Sequence, residues 1–108
     1  MSEMFTQPHL KALLRFRGRF TPGVEPTGAA FRAECDFGVV GMLNMVYVEL
    51  ELPPAPSGAV PANIWLLGPA LVLPTLRAGA PFSVYAGTEL IAQGEVVAVA
   101  AEGLQNGA

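Results

Sequence analysis

Residues Val46–Leu52 read Val-Tyr-Val-Glu-Leu-Glu-Leu and are the clearest evidence in the sequence for its fold. Aliphatic side chains occupy every second position, and a tyrosine and two glutamates lie between them. Only an extended strand sends alternate side chains to opposite faces, because a helix would scatter these residues around its axis. The stretch therefore predicts a β-strand with its four aliphatic side chains buried, Leu52 included, and with Tyr47 and both glutamates facing solvent.

The same alternation recurs on both sides of this strand. Before it, strands are predicted to begin at Leu10 and at Phe31, and the second places Cys35 on its apolar side. After it, extended segments are predicted at Asn63–Leu67, Ala70–Leu73, Phe82–Ala86 and Leu90–Ala100. Gly94 lies inside the last of these, and a glycine within a strand commonly marks a bulge or a sharp coil.

Glycine and proline separate these segments. The chain has 12 glycines and 10 prolines, which leave pieces too short for ordinary helices and predict long loops at Gly18–Ala30 and Pro53–Pro61. Six or so antiparallel strands without covering helices must bury their apolar faces against one another, and closure removes the exposed edges. The predicted fold is therefore all-β, a small closed antiparallel β-barrel.

Length and composition indicate one domain with some apolar surface. The chain has 108 residues, enough for a single core, which we place at about residues 9–100 with a flexible tail at 101–108. Hydrophobic residues make up 52% and charged residues 14%, so the composition excludes a disordered chain and favours a surface covered by a partner or a second copy.

The expected location is the cytoplasm. Proline, glycine or a charge interrupts every apolar run before it reaches the length that spans a bilayer, and the first ten residues show no secretory pattern. The single cysteine, Cys35, has no internal partner for a disulfide, which agrees with a reducing compartment.

The inventory of reactive side chains predicts a protein that is not an enzyme and holds no cofactor or metal. One histidine and one cysteine lie far apart in sequence, so we expect His9 to be an ordinary surface residue and Cys35 a core residue. The pairs Glu34 with Asp36 and Glu49 with Glu51 would suit an acid/base couple or a cation, but solvated strand faces explain them better.

Two surfaces are candidates for binding. The first is a set of apolar residues on faces that the alternation assigns to solvent, which indicates a protein contact unless those strands are buried on both sides. Its members are Leu13, Tyr47, Trp65, Leu67 and Tyr85. The second is a basic stripe near the N-terminus, which would suit RNA unless its cations pair with acids on neighbouring strands. Its members are Lys11, Arg15, Arg17, Arg19 and Arg32.

The order of strands and turns in the C-terminal half carries a resemblance. Residues 60–64 read Val-Pro-Ala-Asn-Ile, residues 79–84 Gly-Ala-Pro-Phe-Ser-Val and residues 91–97 Ile-Ala-Gln-Gly-Glu-Val-Val. With these, the chain over about residues 9–100 resembles the C-terminal β-barrel domain of translation elongation factor Tu and related translational GTPases. The resemblance implies a barrel that binds transfer RNA or proteins. Pro81, Tyr85 and Glu89 stand where that family has arginines, so the cations that neutralise RNA phosphates are missing there.

The sequence therefore predicts a non-enzymatic, self-standing barrel that mediates protein–protein interaction and can self-associate. The alternatives are RNA or translation-machinery binding through the basic stripe, and small-ligand binding at the barrel mouth, lined by loops such as Thr21–Gly28 and Pro53–Pro61. GTP hydrolysis is excluded for this chain because no Gly-x-x-x-x-Gly-Lys-Ser/Thr loop is present.

Overall fold

Six β-strands make up the fold. The computed structural model describes residues 7–18, 20–21, 28–39, 41–52, 58–68 and 72–99. The strands are β1 Leu10–Phe16, β2 Ala30–Asp36, β3 Asn44–Leu50, β4 Val60–Leu66, β5 Pro81–Ala86 and β6 Glu89–Val99. The predicted flexible tail, residues 101–108, lies outside the described residues.

The strands close into a barrel in the order β1-β4-β3-β2-β5-β6, with β6 paired to β1 and every pair antiparallel. The predicted all-β closed barrel is confirmed. In this ring β2 lies three strands from β1 in either direction, and β6 lies three strands from β3. Side chains on the outer faces of β1 and β2 therefore lie on opposite walls of the molecule.

The barrel interior is filled by the apolar sides of the strands. Val46 and Val48 of β3 are fully buried, as the alternation predicts, and so is Cys35 of β2. Fully burying a Val, Leu or Ile side chain contributes roughly 1.5–3 kcal/mol, so these alternating positions supply most of the driving force for closure. Val72 and Leu76, on the segment that joins β4 to β5, are also buried in this core.

Two predicted strands have other bounds in the structure. Leu52 is exposed rather than buried, because β3 ends at Leu50. The fourth strand begins at Val60 instead of Asn63 and tolerates Pro61 in its ladder. The carbonyl of Pro61 accepts the backbone N–H of Glu51, which follows β3, so the missing N–H of the proline faces a point where β3 has already ended.

The prediction of an extended segment at Ala70–Leu73 is wrong at Leu73. This residue begins a turn of 3₁₀ helix, Leu73–Thr75, whereas residues 70 and 71 lie outside the described part. Pro74 has a fixed φ that suits a helical turn, and the hydroxyl of Thr75 donates a hydrogen bond of 2.7 Å to the carbonyl of Val72. Local side-chain bonding of this kind competes with a strand.

Strand β6 departs from strict alternation at two places. Its pairing with β5 shifts between Val84 and Tyr85, and its pairing with β1 shifts between Lys11 and Ala12. Gly94 lies between the two shifts rather than at either one. The ring of Phe82 occupies the space that a Cβ atom on this glycine would need. Gly94 therefore makes room for a core aromatic and is not itself a bulge.

Candidate functional site

The outer faces of β3 and β4, together with the residue before β3 and the residue after β4, carry an apolar surface, which we call the β3–β4 patch. It consists of Leu43, Met45, Tyr47, Trp65 and Leu67. The register pairs Tyr47 directly with Trp65, and the backbone N–H of Leu67 donates to the carbonyl of Met45 at 3.1 Å. Leu43, Met45 and Leu67 are 54%, 48% and 51% exposed. Large apolar side chains thus lie side by side in water on this wall.

Trp65 lies on the outer face, as the alternation predicts, but it is only 6% exposed. The ring of Tyr47 lies against it, with 5.8 Å between ring centroids and an angle of 58°. The flanking strand β1 approaches from its other side, where Leu10 pairs with Ile64. Trp65 is therefore the buried base of the patch, and the exposed side chains around it are the groups that a partner would meet first.

His9 holds the start of β1 to β4 beside this tryptophan. Its backbone N–H donates to the carbonyl of Ile64 at 3.0 Å, and its Nδ1 accepts the backbone N–H of Leu66 at 2.8 Å. Burial lowers the pKa of the imidazole, and the accepted hydrogen bond also requires an unprotonated Nδ1. His9 is half-buried and bonded, so the expectation of an ordinary surface residue is wrong.

A charged edge borders the patch on β2. Arg32 pairs with Tyr47 in the register, and Glu34 pairs with Met45. On the other side of β2, Glu34 pairs with Tyr85 of β5. Tyr85 therefore lies at the margin of this surface, separated from the apolar residues by one charged strand.

Leu13 lies apart from the other predicted contact residues. It is half-buried on β1, where it pairs with Pro61 on one side and Glu95 on the other. Pro61 stands near the start of β4 and Trp65 near its end, so the length of that strand separates Leu13 from the patch. The structure brings together Tyr47, Trp65 and Leu67.

Two members of the patch, Leu43 and Met45, were not among the predicted contact residues. The signal was present, because both continue the odd-numbered face on which Tyr47 lies. Met45 was missed because the predicted strand began at Val46, whereas β3 begins at Asn44, and Leu43 lies one residue before that strand.

The basic stripe is divided by the fold. Lys11 and Arg15 are exposed on β1 and Arg17 is exposed directly after it, but Arg32 lies on the opposite wall. Arg19 lies outside the described residues. The Nζ of Lys11 donates to Asn63 at 3.0 Å, and the amide of Asn63 donates to a carboxylate oxygen of Glu51 at 3.1 Å. Part of the stripe is thus linked to an acid on a neighbouring segment.

Reactive groups do not converge in the described part of the chain. Cys35 is fully buried, and burial raises the pKa of its thiol, which suppresses the nucleophilic thiolate. Among the described residues, no three histidine, cysteine, aspartate or glutamate side chains gather where they could hold a metal ion. No helix in the described ranges is long and apolar enough to cross a membrane.

Open depressions lie at both ends of the barrel among the described residues. One is lined by Arg17, Phe20, Thr88 and Glu89, and another by Asp36, Val39 and Met42. Most of the loop residues predicted to line the mouth, 22–27 and 53–57, lie outside the described part. The depressions that are described are shallow compared with the enclosed clefts that bind most small ligands.

Fold and surface together define a class, a small closed all-β barrel with an apolar patch on one wall. No family model, curated protein or solved structure matches the chain. The resemblance to the C-terminal domain of elongation factor Tu therefore stays a prediction.

Proposed function

We propose that this chain is a non-enzymatic protein-binding module that binds its partner through the β3–β4 patch. The observation that carries the proposal is the direct neighbourhood of Met45 and Leu67, each about half exposed, with Leu43 exposed beyond them. Soluble monomers rarely leave contiguous large apolar side chains in water, and such patches commonly mark interfaces. A barrel wall is also rigid, so little conformational entropy is lost on binding.

The anatomy of the patch supports this function. Tyr47 and Trp65 form an aromatic base at one end of it, beside Met45 and Leu67, and Arg32 and Glu34 provide a polar rim on β2. Interfaces commonly combine an aromatic and methionine-rich centre with charged groups at the edge. The buried, unreactive state of Cys35 supports a binding role over a catalytic one.

Charged substitutions within the patch test the proposal. We expect Met45→Lys and Leu67→Lys each to reduce capture of partner proteins from a lysate of the source cells at least about tenfold, since a lysine cannot be buried in an apolar contact without a large loss. The measurement is retention on the immobilised chain, quantified by mass spectrometry.

Val97→Lys is the matched control. Val97 is 49% exposed and lies on β6, the strand opposite β3 in the ring. We expect Val97→Lys to retain the partner proteins that both patch variants lose. Equal retention by all three variants would contradict the assignment of the surface.

RNA binding is a second candidate function, because the wall that contains β1 carries three exposed cations, Lys11, Arg15 and Arg17. Two cations on β1 and one directly after it would give RNA affinity that falls with increasing salt. Retention of transfer RNA at low salt that disappears in Arg15→Glu would favour this function, and no retention at low salt would exclude it.

A further inference from the structure

The outer surface of β2, β3 and β4 carries two parallel rows of side chains that run across the strands. The first row is Arg32, Tyr47 and Trp65, and the second is Glu34, Met45 and Leu67, each in register order. Both rows therefore begin with a charge on β2 and continue with large apolar groups on β3 and β4. Neighbouring rows are two residues apart along each strand, which is about 7 Å.

We propose that the partner of this surface is a second copy of the chain, in a two-fold symmetric dimer. This inference rests on the proposed function and names its partner. The two-fold axis lies in the interface, perpendicular to the strands and midway between the two rows. Rotation about such an axis places the first row of each copy on the second row of the other, because an isologous interface uses the same surface twice.

Charge complementarity argues for this arrangement. The rotation brings Arg32 of each copy onto Glu34 of the other, so the dimer gains two opposite-charge contacts from one pair of residues. It also brings the ring of Tyr47 onto the thioether of Met45, and sulfur–aromatic contacts of this kind are favourable. Leu67 meets the aromatic base at Trp65. Each group of one row thus meets a suitable group of the other.

The other symmetric arrangement lacks this match. A two-fold axis parallel to the strands and centred on β3 would place β2 of one copy on β4 of the other. Glu34 would then lie on Leu67, so a carboxylate would be buried against an apolar side chain without a cation. The alternation of sign between Arg32 and Glu34 selects the axis that crosses the strands.

Charge reversal tests the dimer directly, with the full chain followed by sedimentation velocity over a range of concentrations. Two rows form a small interface, so we expect a dissociation constant in the micromolar range, on the order of 10⁻⁶ to 10⁻⁵ M. Arg32→Glu alone, or Glu34→Arg alone, places like charges together at both contacts and should raise this constant at least about tenfold. The double variant Arg32→Glu with Glu34→Arg restores both pairs and should return it to within about threefold of the original.

Arg15→Glu is the control, since Arg15 is an exposed arginine on the wall opposite β2, and it should leave the constant unchanged. Circular dichroism of each variant checks that the barrel is intact. The dimer would be overturned if the double variant failed to restore the dissociation constant, or if the single charge reversals left it unchanged.

The two proposals fail in different ways. One outcome is a wild-type chain that stays monomeric up to about 1 mM and captures another protein, which Met45→Lys no longer captures. This outcome would overturn the dimer but would still support the binding function of the patch. Unchanged capture together with a monomeric chain would overturn both.

Discussion

At the scale of single residues, Gly94 and Phe82 show how closely the core constrains the sequence. The two residues are cross-strand partners in β5 and β6, and a Cβ atom on Gly94 would overlap the ring of Phe82. That ring is itself confined, because it is buried and packs against Phe37 with 5.0 Å between centroids. An added methyl group therefore has no room unless the aromatic pair moves.

We expect Gly94→Ala to lower the free energy of unfolding by about 1–3 kcal/mol, the usual cost of an overpacked core. Urea unfolding followed by fluorescence measures the change. Gly68→Ala is the control, because no atom lies near its Cβ position, and it should stay within about 0.5 kcal/mol. Gly94→Ala should cost less unfolding free energy in a chain that already carries Phe82→Leu than in the wild-type chain, because the smaller leucine leaves room for the methyl group. Equal costs in the two backgrounds would show that the overlap is not the cause.

His9 gives the stability a pH dependence of known sign. Its pKa is lowered in the folded chain, so the unfolded chain binds a proton first as the pH falls. The stability that the neutral imidazole contributes is complete above about pH 6.5, which is its pKa in the unfolded chain. This stability is lost as the pH decreases from there to the lower pKa of the folded chain. Protonation of Nδ1 would also remove the hydrogen bond from the N–H of Leu66.

The expected outcome is a loss of unfolding free energy between about pH 7 and pH 5 in the wild-type chain that is smaller in His9→Asn. Comparing the two chains isolates the histidine from the carboxylates, which titrate in both. Chemical denaturation at several pH values provides the measurement. An imidazole that titrates at or above its ordinary pKa in NMR spectra of the folded chain would contradict the assignment.

At the scale of elements, the alternation of side chains predicted most strands because one face of each is buried in a common interior. It worked best for β3, where Val46 and Val48 point inward and Glu49 outward. It failed where local geometry depends on a partner strand. The two register shifts of β6 depend on its pairing with β1 and β5. The turn at Leu73–Thr75 depends on a hydrogen bond from the hydroxyl of Thr75 to the backbone carbonyl of Val72.

The candidate site was predictable in its residue types but not in its shape. Tyr47 and Leu67 face outward by parity alone, so the sequence was enough to place them on the surface. The burial of Trp65 depends on packing by Tyr47 from one neighbouring strand and on the docking of β1 through His9 from the other. Neither contact can be read from the residues around position 65, because both join segments that are distant in sequence.

At the scale of the whole molecule, the closed interior turns Cys35 into a probe of global unfolding. The thiol is fully buried inside the ladder, so a labelling reagent reaches it only when strands separate. We expect labelling at neutral pH to be slow and to accelerate with urea in parallel with global unfolding. The rate of labelling measured by mass spectrometry tests this, and rapid labelling of the folded chain would show that the barrel opens locally near β2.

The ring is completed by the pairing of β1 with β6, strands that stand near opposite ends of the described chain. Before β6 has been synthesised, β1 and β5 each lack one neighbouring strand. The backbone N–H and C=O groups on those edges of a nascent chain are then unpaired and can pair with the wrong strand. Contacts so distant in sequence also delay refolding, which for such topologies takes about milliseconds to seconds. The newly made chain is therefore most vulnerable to aggregation before β6 is available, and dilution or a holding chaperone should raise the yield of native protein.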